Sequence, residues 1–141
     1  MSGIAIDYFV NSAYQLNQKA QKLLFAVNKE HSKDSIAFFY PKNLFSTAEG
    51  DEEEIIILSK NKKIWRASCV ENSYIYKFEV WDIKEIAKLE LYPDSERESV
   101  ELRIILRDNT ELVLNSEKDG NIHWAYRYRE HIKEMFATLS T

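Results

Sequence analysis

The N-terminal part of the chain carries apolar side chains at intervals that suit one face of an α-helix. Successive apolar positions from Phe9 onward are separated by four, three, four, three and four residues, which is the spacing of an amphipathic helical stripe. The stripe consists of Phe9, Ala13, Leu16, Ala20, Leu23 and Val27. Polar residues occupy the opposite face. The pattern therefore predicts one N-terminal amphipathic helix within residues 1–34, ending in the polar stretch 28–32.

From residue 55 the period changes from that of a helix to the period of two that is typical of half-buried strands. Six strand-like runs follow one another, at residues 55–58, 64–70, 74–81, 86–91, 100–106 and 112–114. Polar turns separate them, and Asp108-Asn109 is a typical hairpin turn. The pattern predicts an antiparallel meander of consecutive hairpins.

Residues 35–54 connect the helical part to the meander. The run IAFFY, from Ile36 to Tyr40, is stopped by Pro41 and suits an edge strand and a turn of helix equally. The run EGDEEE at 49–54 forms an acidic block, which is typical of a solvated loop. Its consecutive carboxylates point in different directions on an extended loop, so no metal site is predicted there.

Helical spacing returns near the C-terminus, after a break at Asp119-Gly120-Asn121 in which Asn121 is the expected N-cap. The apolar face consists of Ala125, Tyr128, Ile132, Met135, Phe136 and Leu139. The predicted fold is thus α+β, with an N-terminal amphipathic helix (1–34), a connecting segment with an acidic loop (35–54), and a β-domain closed by a C-terminal helix (55–141). We expect these parts to form one structural unit.

A meander that ends in a single amphipathic helix resembles the pleckstrin-homology-like superfold, particularly its small bacterial and GRAM-type members. Trp124 stands where such helices commonly carry a tryptophan, and WDIKEI at 81–86 is similar to the step that introduces a middle strand. The resemblance, over about residues 55–139, implies a bent sheet or barrel of six or seven strands, with Trp124 packed inside. The whole chain also resembles short uncharacterised proteins of low-GC bacteria and their phages.

Composition narrows the classes of protein further. Hydrophobic residues make up 45% of the chain, which excludes a disordered tail. The 19 basic and 23 acidic residues give a net charge of −4, which argues against a nucleic-acid partner. The single cysteine, Cys69, excludes an internal disulfide and fits a small core residue. No signal-peptide pattern and no apolar run of the roughly 20 residues that span a bilayer is present, so we expect a cytoplasmic location.

One candidate site is the basic first hairpin, which comprises Lys60, Lys62, Lys63 and Arg66. The resemblance implies that these residues hold an anionic small molecule or lipid headgroup, since lysine and arginine suit phosphate oxygens. The alternative is a solubilising turn. A membrane surface is the less favoured partner, because the neighbouring acidic block repels anionic lipids.

The other candidate site is the C-terminal helix, which concentrates aromatic and basic residues typical of protein interfaces. The candidate partner-binding residues are His123, Tyr126, Arg127, Arg129 and His131. His123, Arg127 and His131 share one helical face. The two histidines lie about 12 Å apart along the axis, too far to bind one metal. Alternatively, these basic residues only face solvent.

The sequence carries no motif of an enzyme active site or of a cofactor site. We therefore expect a non-enzymatic, cytoplasmic interaction module that binds a protein partner through its N-terminal and C-terminal helices. Alternatives are an anion-binding module that uses the basic hairpin, and a small phage- or mobile-element-encoded modulator of a host protein. The stripe of the first helix either packs on the domain's own sheet or forms a homodimer.

Overall fold

The computed structural model describes residues 4–44, 53–69, 75–120 and 122–141. They form two compact units, Ile4–Trp81 and Asp82–Thr141. The fold is α+β, as the sequence predicts, with short N-terminal helices, seven antiparallel strands in two sheets and a C-terminal helix. Each unit contains one of the two sheets.

The predicted single N-terminal helix is wrong, because the chain forms two. Helix α1 covers Ile6–Asn11 and helix α2 covers Gln18–Glu30, with a 3₁₀ turn between them. The Asn17 side chain accepts a hydrogen bond from the Ala20 amide at 2.8 Å and starts α2 afresh. Asparagine is favoured at the start of a helix and disfavoured in its interior. The helix is therefore interrupted before Asn17, although the apolar spacing continues across the interruption.

The first sheet is antiparallel, with its four strands hydrogen-bonded in chain order. Its strands are β1 (Ile36–Lys42), β2 (Glu54–Ser59), β3 (Lys63–Cys69) and β4 (Tyr76–Asp82). The segment that suited strand and helix equally is thus the edge strand β1, where proline is tolerated. In the central strand β2, all side chains from Ile55 to Leu58 are at most 3% exposed, as the uninterrupted apolar run requires.

The apolar stripe of the N-terminal region packs on its own sheet. Ala20, Leu23, Leu24 and Val27 are all 0% exposed, and α2 contacts β2 and β3. In α1, the Phe9 ring lies 5.6 Å from that of Phe39 on β1. The stripe is therefore buried within the chain. A homodimer through the N-terminal helices would have to use their other surfaces.

The acidic block is only partly a loop. Residues 49–52 lie outside the described residues, while Glu53 is 7% exposed and Glu54 begins β2. The Glu53 carboxylate accepts a hydrogen bond from Asn17 Nδ2 at 3.2 Å and lies 3.9 Å from Lys19 Nζ. The first turn of α2 favours a carboxylate, so the predicted solvated loop is wrong for these two glutamates.

The second sheet has the clearest alternation in the chain. Its strands are β5 (Ile86–Asp94), β6 (Ser99–Leu106) and β7 (Glu111–Asn115), paired in chain order. Every second residue of β6 is buried: Val100, Leu102, Ile104 and Leu106. Helix α3 (Ala125–Leu139) packs on β6 and β7 through Tyr128, Ile132 and Met135.

The barrel implied by the resemblance does not form. Hydrogen bonding in the first sheet ends with β4, and that in the second begins with β5. Between them lies the 3₁₀ turn Ile83–Glu85, started by Asp82, whose carboxylate accepts the Lys84 amide at 2.9 Å. The capped turn interrupts the ladder, so the seven strands remain two sheets.

The start of the C-terminal helix also differs from expectation. Asn121, the expected N-cap, lies outside the described residues. A 3₁₀ turn at Ile122–Trp124 precedes α3, whose regular hydrogen bonding starts at Ala125. Among the helices of the described residues, none is both long and apolar enough to cross a bilayer.

Candidate functional site

The basic first hairpin is a tight turn with outward lysines. Lys60 and Lys62 are exposed and Lys63 is half-buried at the start of β3. The turn is held by Ser59, whose hydroxyl pairs with Asn61 and accepts the Lys63 amide at 3.3 Å. Lys62 has a φ of 65°, a left-handed conformation uncommon for lysine.

Arg66, the fourth residue of this candidate site, is engaged within the sheet. Its Nε donates to Glu79 Oε1 on β4 at 2.9 Å, and its guanidinium lies 5.6 Å from the Trp81 ring centroid. The hydrogen bond from Arg66 lowers the pKa of Glu79 below its ordinary value. The structure thus separates the three lysines of the turn from an arginine whose charge is already neutralised.

Two arginines stack on two aromatic rings at the start of α3. The Arg127 guanidinium lies 4.9 Å from the Trp124 ring centroid, and that of Arg129 lies 4.8 Å from the Tyr126 ring centroid. In each pair the arginine follows the aromatic residue by three positions, which places the two side chains next to each other on a helix. We call these four residues, Trp124, Tyr126, Arg127 and Arg129, the arginine–aromatic patch. Such stacking holds each arginine in place.

The patch differs in exposure from the partner-binding set that the sequence suggests. Tyr126 is 65% exposed, and His123 and Arg127 are exposed. His131 is only 3% exposed, because it follows Tyr128 by three residues on the stripe that packs on the sheet. The prediction of His131 as a partner-binding residue is therefore wrong, because its side chain is buried. Trp124 is half-buried rather than fully buried as the resemblance implies.

A half-open groove lies between α3 and the turn that joins β5 to β6. Its volume is about 360 Å³. The residues that line it are Pro93, Asp94, Ser95, Glu98, Ser99, Arg129 and Lys133. We call it the β5–β6 groove. Of this set, only Arg129 belongs to a site predicted from the sequence.

Arg129 connects the β5–β6 groove to the arginine–aromatic patch. Its Nη1 donates to the Glu98 carbonyl oxygen at 3.0 Å, and its side chain is 20% exposed. Its Nε is buried and has no hydrogen-bond acceptor among the described residues; Glu130 Oε1 lies 3.8 Å away from it. The guanidinium is therefore fixed and only partly satisfied.

The turn beside the groove is itself unusual. Glu98 has a φ of 53°, a left-handed conformation that costs a residue with a Cβ about 1 kcal/mol or more. The carbonyl that Arg129 binds belongs to this residue. Only the folded chain shows this contact, because its partners are 31 positions apart.

The single cysteine has the environment of a structural residue. Cys69 is free and half-buried, and burial raises the pKa of its thiol. A protonated thiol is a weak nucleophile. Within the described ranges, no group of three or more His, Cys, Asp or Glu side chains is arranged to hold a metal ion.

His31 is a buried histidine that the sequence analysis did not single out. It ends α2, its Nδ1 lies 3.3 Å from the Val27 carbonyl oxygen, and its ring meets the Trp65 ring edge-on at 4.8 Å. Its Nε2 is buried and meets no hydrogen-bond partner in the described part of the chain. Burial lowers the pKa of His31, since a proton on Nε2 would face no acceptor.

Titration of His31 predicts a loss of stability in mild acid. Its folded-state pKa lies below the ordinary value of 6.5, so the unfolded chain takes up the proton first. Stability is then fully present above pH 6.5 and declines as the pH falls through and below that value. Urea unfolding of the wild-type chain between pH 7.5 and 5 measures the decline.

The matched variants for this pH series are His31→Gln and His123→Gln. We expect the first to flatten the decline and the second, at an exposed position, to leave it unchanged. An unchanged decline in His31→Gln would assign the titration to another group.

Comparison of the chain with models of protein families, with curated proteins and with solved structures found no match in any of the three.

Proposed function

We propose that this chain is a non-enzymatic module that binds a protein partner through the arginine–aromatic patch of α3. The observation that carries the proposal is Tyr126, which is 65% exposed although the Arg129 guanidinium stacks on it. A tyrosine ring that faces water and is held in place by a stacked arginine offers a preformed contact area of the kind that is enriched at protein interfaces.

The chemistry of the patch suits a protein surface. Arginine, tyrosine and tryptophan are the residue types most enriched among interface residues that dominate binding free energy. In the patch their conformations are already restricted by stacking, so binding would immobilise few additional side chains. Exposed Arg127 and Tyr126 provide both charge and contact area.

The non-enzymatic proposal is supported by the surroundings of three side chains of types that enzymes commonly use, His31, His131 and Cys69. His31 ends α2 and contacts Trp65. His131 lies on the buried face of α3. The thiol of Cys69 is half-buried, with its pKa raised by burial.

The N-terminal helices support the proposal less than α3 does. The apolar stripe of α2 is buried on its own sheet, and the exposed apolar side chains there are Tyr8, Tyr14 and Phe25. They offer a second surface on the first unit.

The anion-binding alternative has weaker support. Lys60 and Lys62 are exposed, but Arg66, the only residue of the predicted hairpin site that can bind a phosphate with two parallel hydrogen bonds, is paired with Glu79. The pleckstrin-homology-like resemblance remains part of the proposal. If the chain is phage-encoded, we propose that its partner is a protein of the host.

Capture of partners from the source cell's lysate tests the proposal. The variants Tyr126→Ala and Arg127→Glu change exposed side chains and should leave the fold intact. We expect each to weaken binding of the captured partner about 30-fold, since dominant interface residues contribute about 2 kcal/mol or more. The measurement is a titration of the purified partner against each variant.

Two controls make the result specific. Lys84→Glu reverses an exposed charge in the same unit, and Tyr14→Ala removes an aromatic ring that is 80% exposed on the other unit. Both should bind like the wild-type chain. Retained binding by Tyr126→Ala and Arg127→Glu would contradict the placement of the site on α3.

A further inference from the structure

We propose that the β5–β6 groove receives an acidic segment of the protein partner, with its carboxylates bound between Arg129 and Lys133. The inference rests on the proposed function, because Arg129 belongs both to the groove and to the arginine–aromatic patch. It adds the chemistry of the partner, which the patch alone does not specify.

The two cations of the groove are placed to act together. Arg129 and Lys133 are four residues apart on α3, so they lie on the same helical face, and both line the groove. Lys133 is exposed and has no ion pair within the described part of the chain. Their separation of about 6 Å along the axis lets one carboxylate, or two neighbouring ones, contact both.

The Arg129 guanidinium has N–H donors that make no hydrogen bond to the Glu98 carbonyl. A guanidinium carries five N–H donors, and the Glu98 carbonyl accepts from Nη1 alone. Stacking on Tyr126 and the bond to Glu98 fix the orientation of the group. A fixed guanidinium that lines an open groove is prepared for an incoming carboxylate, which it can bind with two parallel hydrogen bonds.

The acidic residues of the groove compete weakly for these cations. Asp94 Oδ1 accepts the backbone amides of Glu96 at 3.1 Å and Arg97 at 3.2 Å, so that carboxylate holds the turn. The Glu98 side chain is 80% exposed, and its Oε2 is 3.9 Å from Arg129 Nη1, beyond hydrogen-bond distance. The groove thus carries two carboxylates and two cations, but Lys133 has no ion pair among the described residues and Arg129 keeps N–H donors that the Glu98 carbonyl does not use. These two groups favour an anionic occupant over a cationic one.

The size and shape of the groove favour a peptide over a small metabolite. Its volume of about 360 Å³ is near the lower end of the roughly 300 to 1,000 Å³ of ligand pockets, and it is half-open. It therefore fits one or two acidic side chains of a segment that crosses the surface. Ser95 and Ser99 line the same groove, and serine hydroxyls are hydrogen-bond donors that suit carboxylate oxygens.

A titration of the ¹⁵N-labelled full chain tests the inference. The probe is an acetylated and amidated hexaglutamate peptide, with hexaglutamine as the uncharged match. We expect hexaglutamate to shift the amide resonances of Ser95, Ser99, Arg129 and Lys133, with weaker binding at higher salt. Lys133→Glu should weaken binding about 10-fold or more, whereas Lys84→Glu should not.

Several results would overturn the inference. One is equal binding of hexaglutamate to wild type, Lys133→Gln and Lys133→Glu. Another is a set of shifts centred on the Lys60–Lys62 turn instead of the groove. Inorganic phosphate bound more tightly than the peptide at the same residues would assign the groove to a free oxyanion and overturn the acidic segment.

Partner capture separates failure of this inference from failure of the proposed function. Capture that is lost in Arg127→Glu but equal in wild type and Lys133→Glu overturns the groove and leaves the patch. Capture that is unaffected by any variant on α3 overturns the proposed function, and the peptide titration still decides the groove.

Discussion

Replacing Leu102 by alanine is expected to lower the free energy of unfolding by about 2 to 5 kcal/mol. Leu102 is 0% exposed in the central strand of the second sheet, where it pairs with Leu91 on β5 and Leu114 on β7. Helix α3 covers the same sheet. The space left by the side chain cannot close easily when neighbours from several elements hold it open.

Urea unfolding at pH 7.5 measures this loss, and Ile105→Ala is the matched control. Ile105 lies on the same strand but on the other face, where it is half-buried opposite Lys88 and Glu111. Its replacement should cost less than half as much. Equal losses at the two positions would mean that the alternation along β6 does not separate core from surface.

Replacing Gly120 by alanine is expected to lower the free energy of unfolding by about 1 to 3 kcal/mol, the usual cost of overpacking. A Cβ at this position would lie 2.7 Å from Cε1 and 2.8 Å from Cδ1 of Tyr128. The ring is 3% exposed and anchors α3, so it cannot move aside cheaply. The glycine is therefore required by close approach to a ring.

A double-mutant cycle isolates that cause. In the Tyr128→Leu background the ring is absent, so Gly120→Ala should cost little beyond the Tyr128→Leu change itself. Thermal or urea unfolding of the four chains gives the coupling free energy. An equal penalty in both backgrounds would contradict the close contact between Gly120 and Tyr128.

The strands could be predicted because their side chains alternate with burial. In β6 the residues between the core positions are all half-buried, and in β2 the unbroken apolar run indicates burial on both faces. The break between α1 and α2 was not predicted, because the spacing of apolar residues indicates which side chains are buried and not whether the helix is continuous. Asn17 was the available signal, as a capping residue inside an apolar stripe.

The candidate site was predictable only as far as it is local. The two arginine–aromatic pairs are three residues apart in sequence, so helix geometry alone brings them together. The burial of His131 follows from the same geometry once Tyr128 and Met135 are assigned to the core. The β5–β6 groove could not be predicted from the sequence, because the Glu98 carbonyl and Arg129 come together only when the sheet and the helix have packed.

The most direct test of the central claim places a photoreactive benzoylphenylalanine at position 126 and, in a separate chain, at position 25. Both positions hold exposed aromatic rings, at 65% and 47% exposure, so both accept the larger side chain. Irradiation in the source lysate should cross-link a protein partner to position 126 and not to position 25. A partner cross-linked from position 25 alone would contradict the account, because it would place the binding surface on the N-terminal helices.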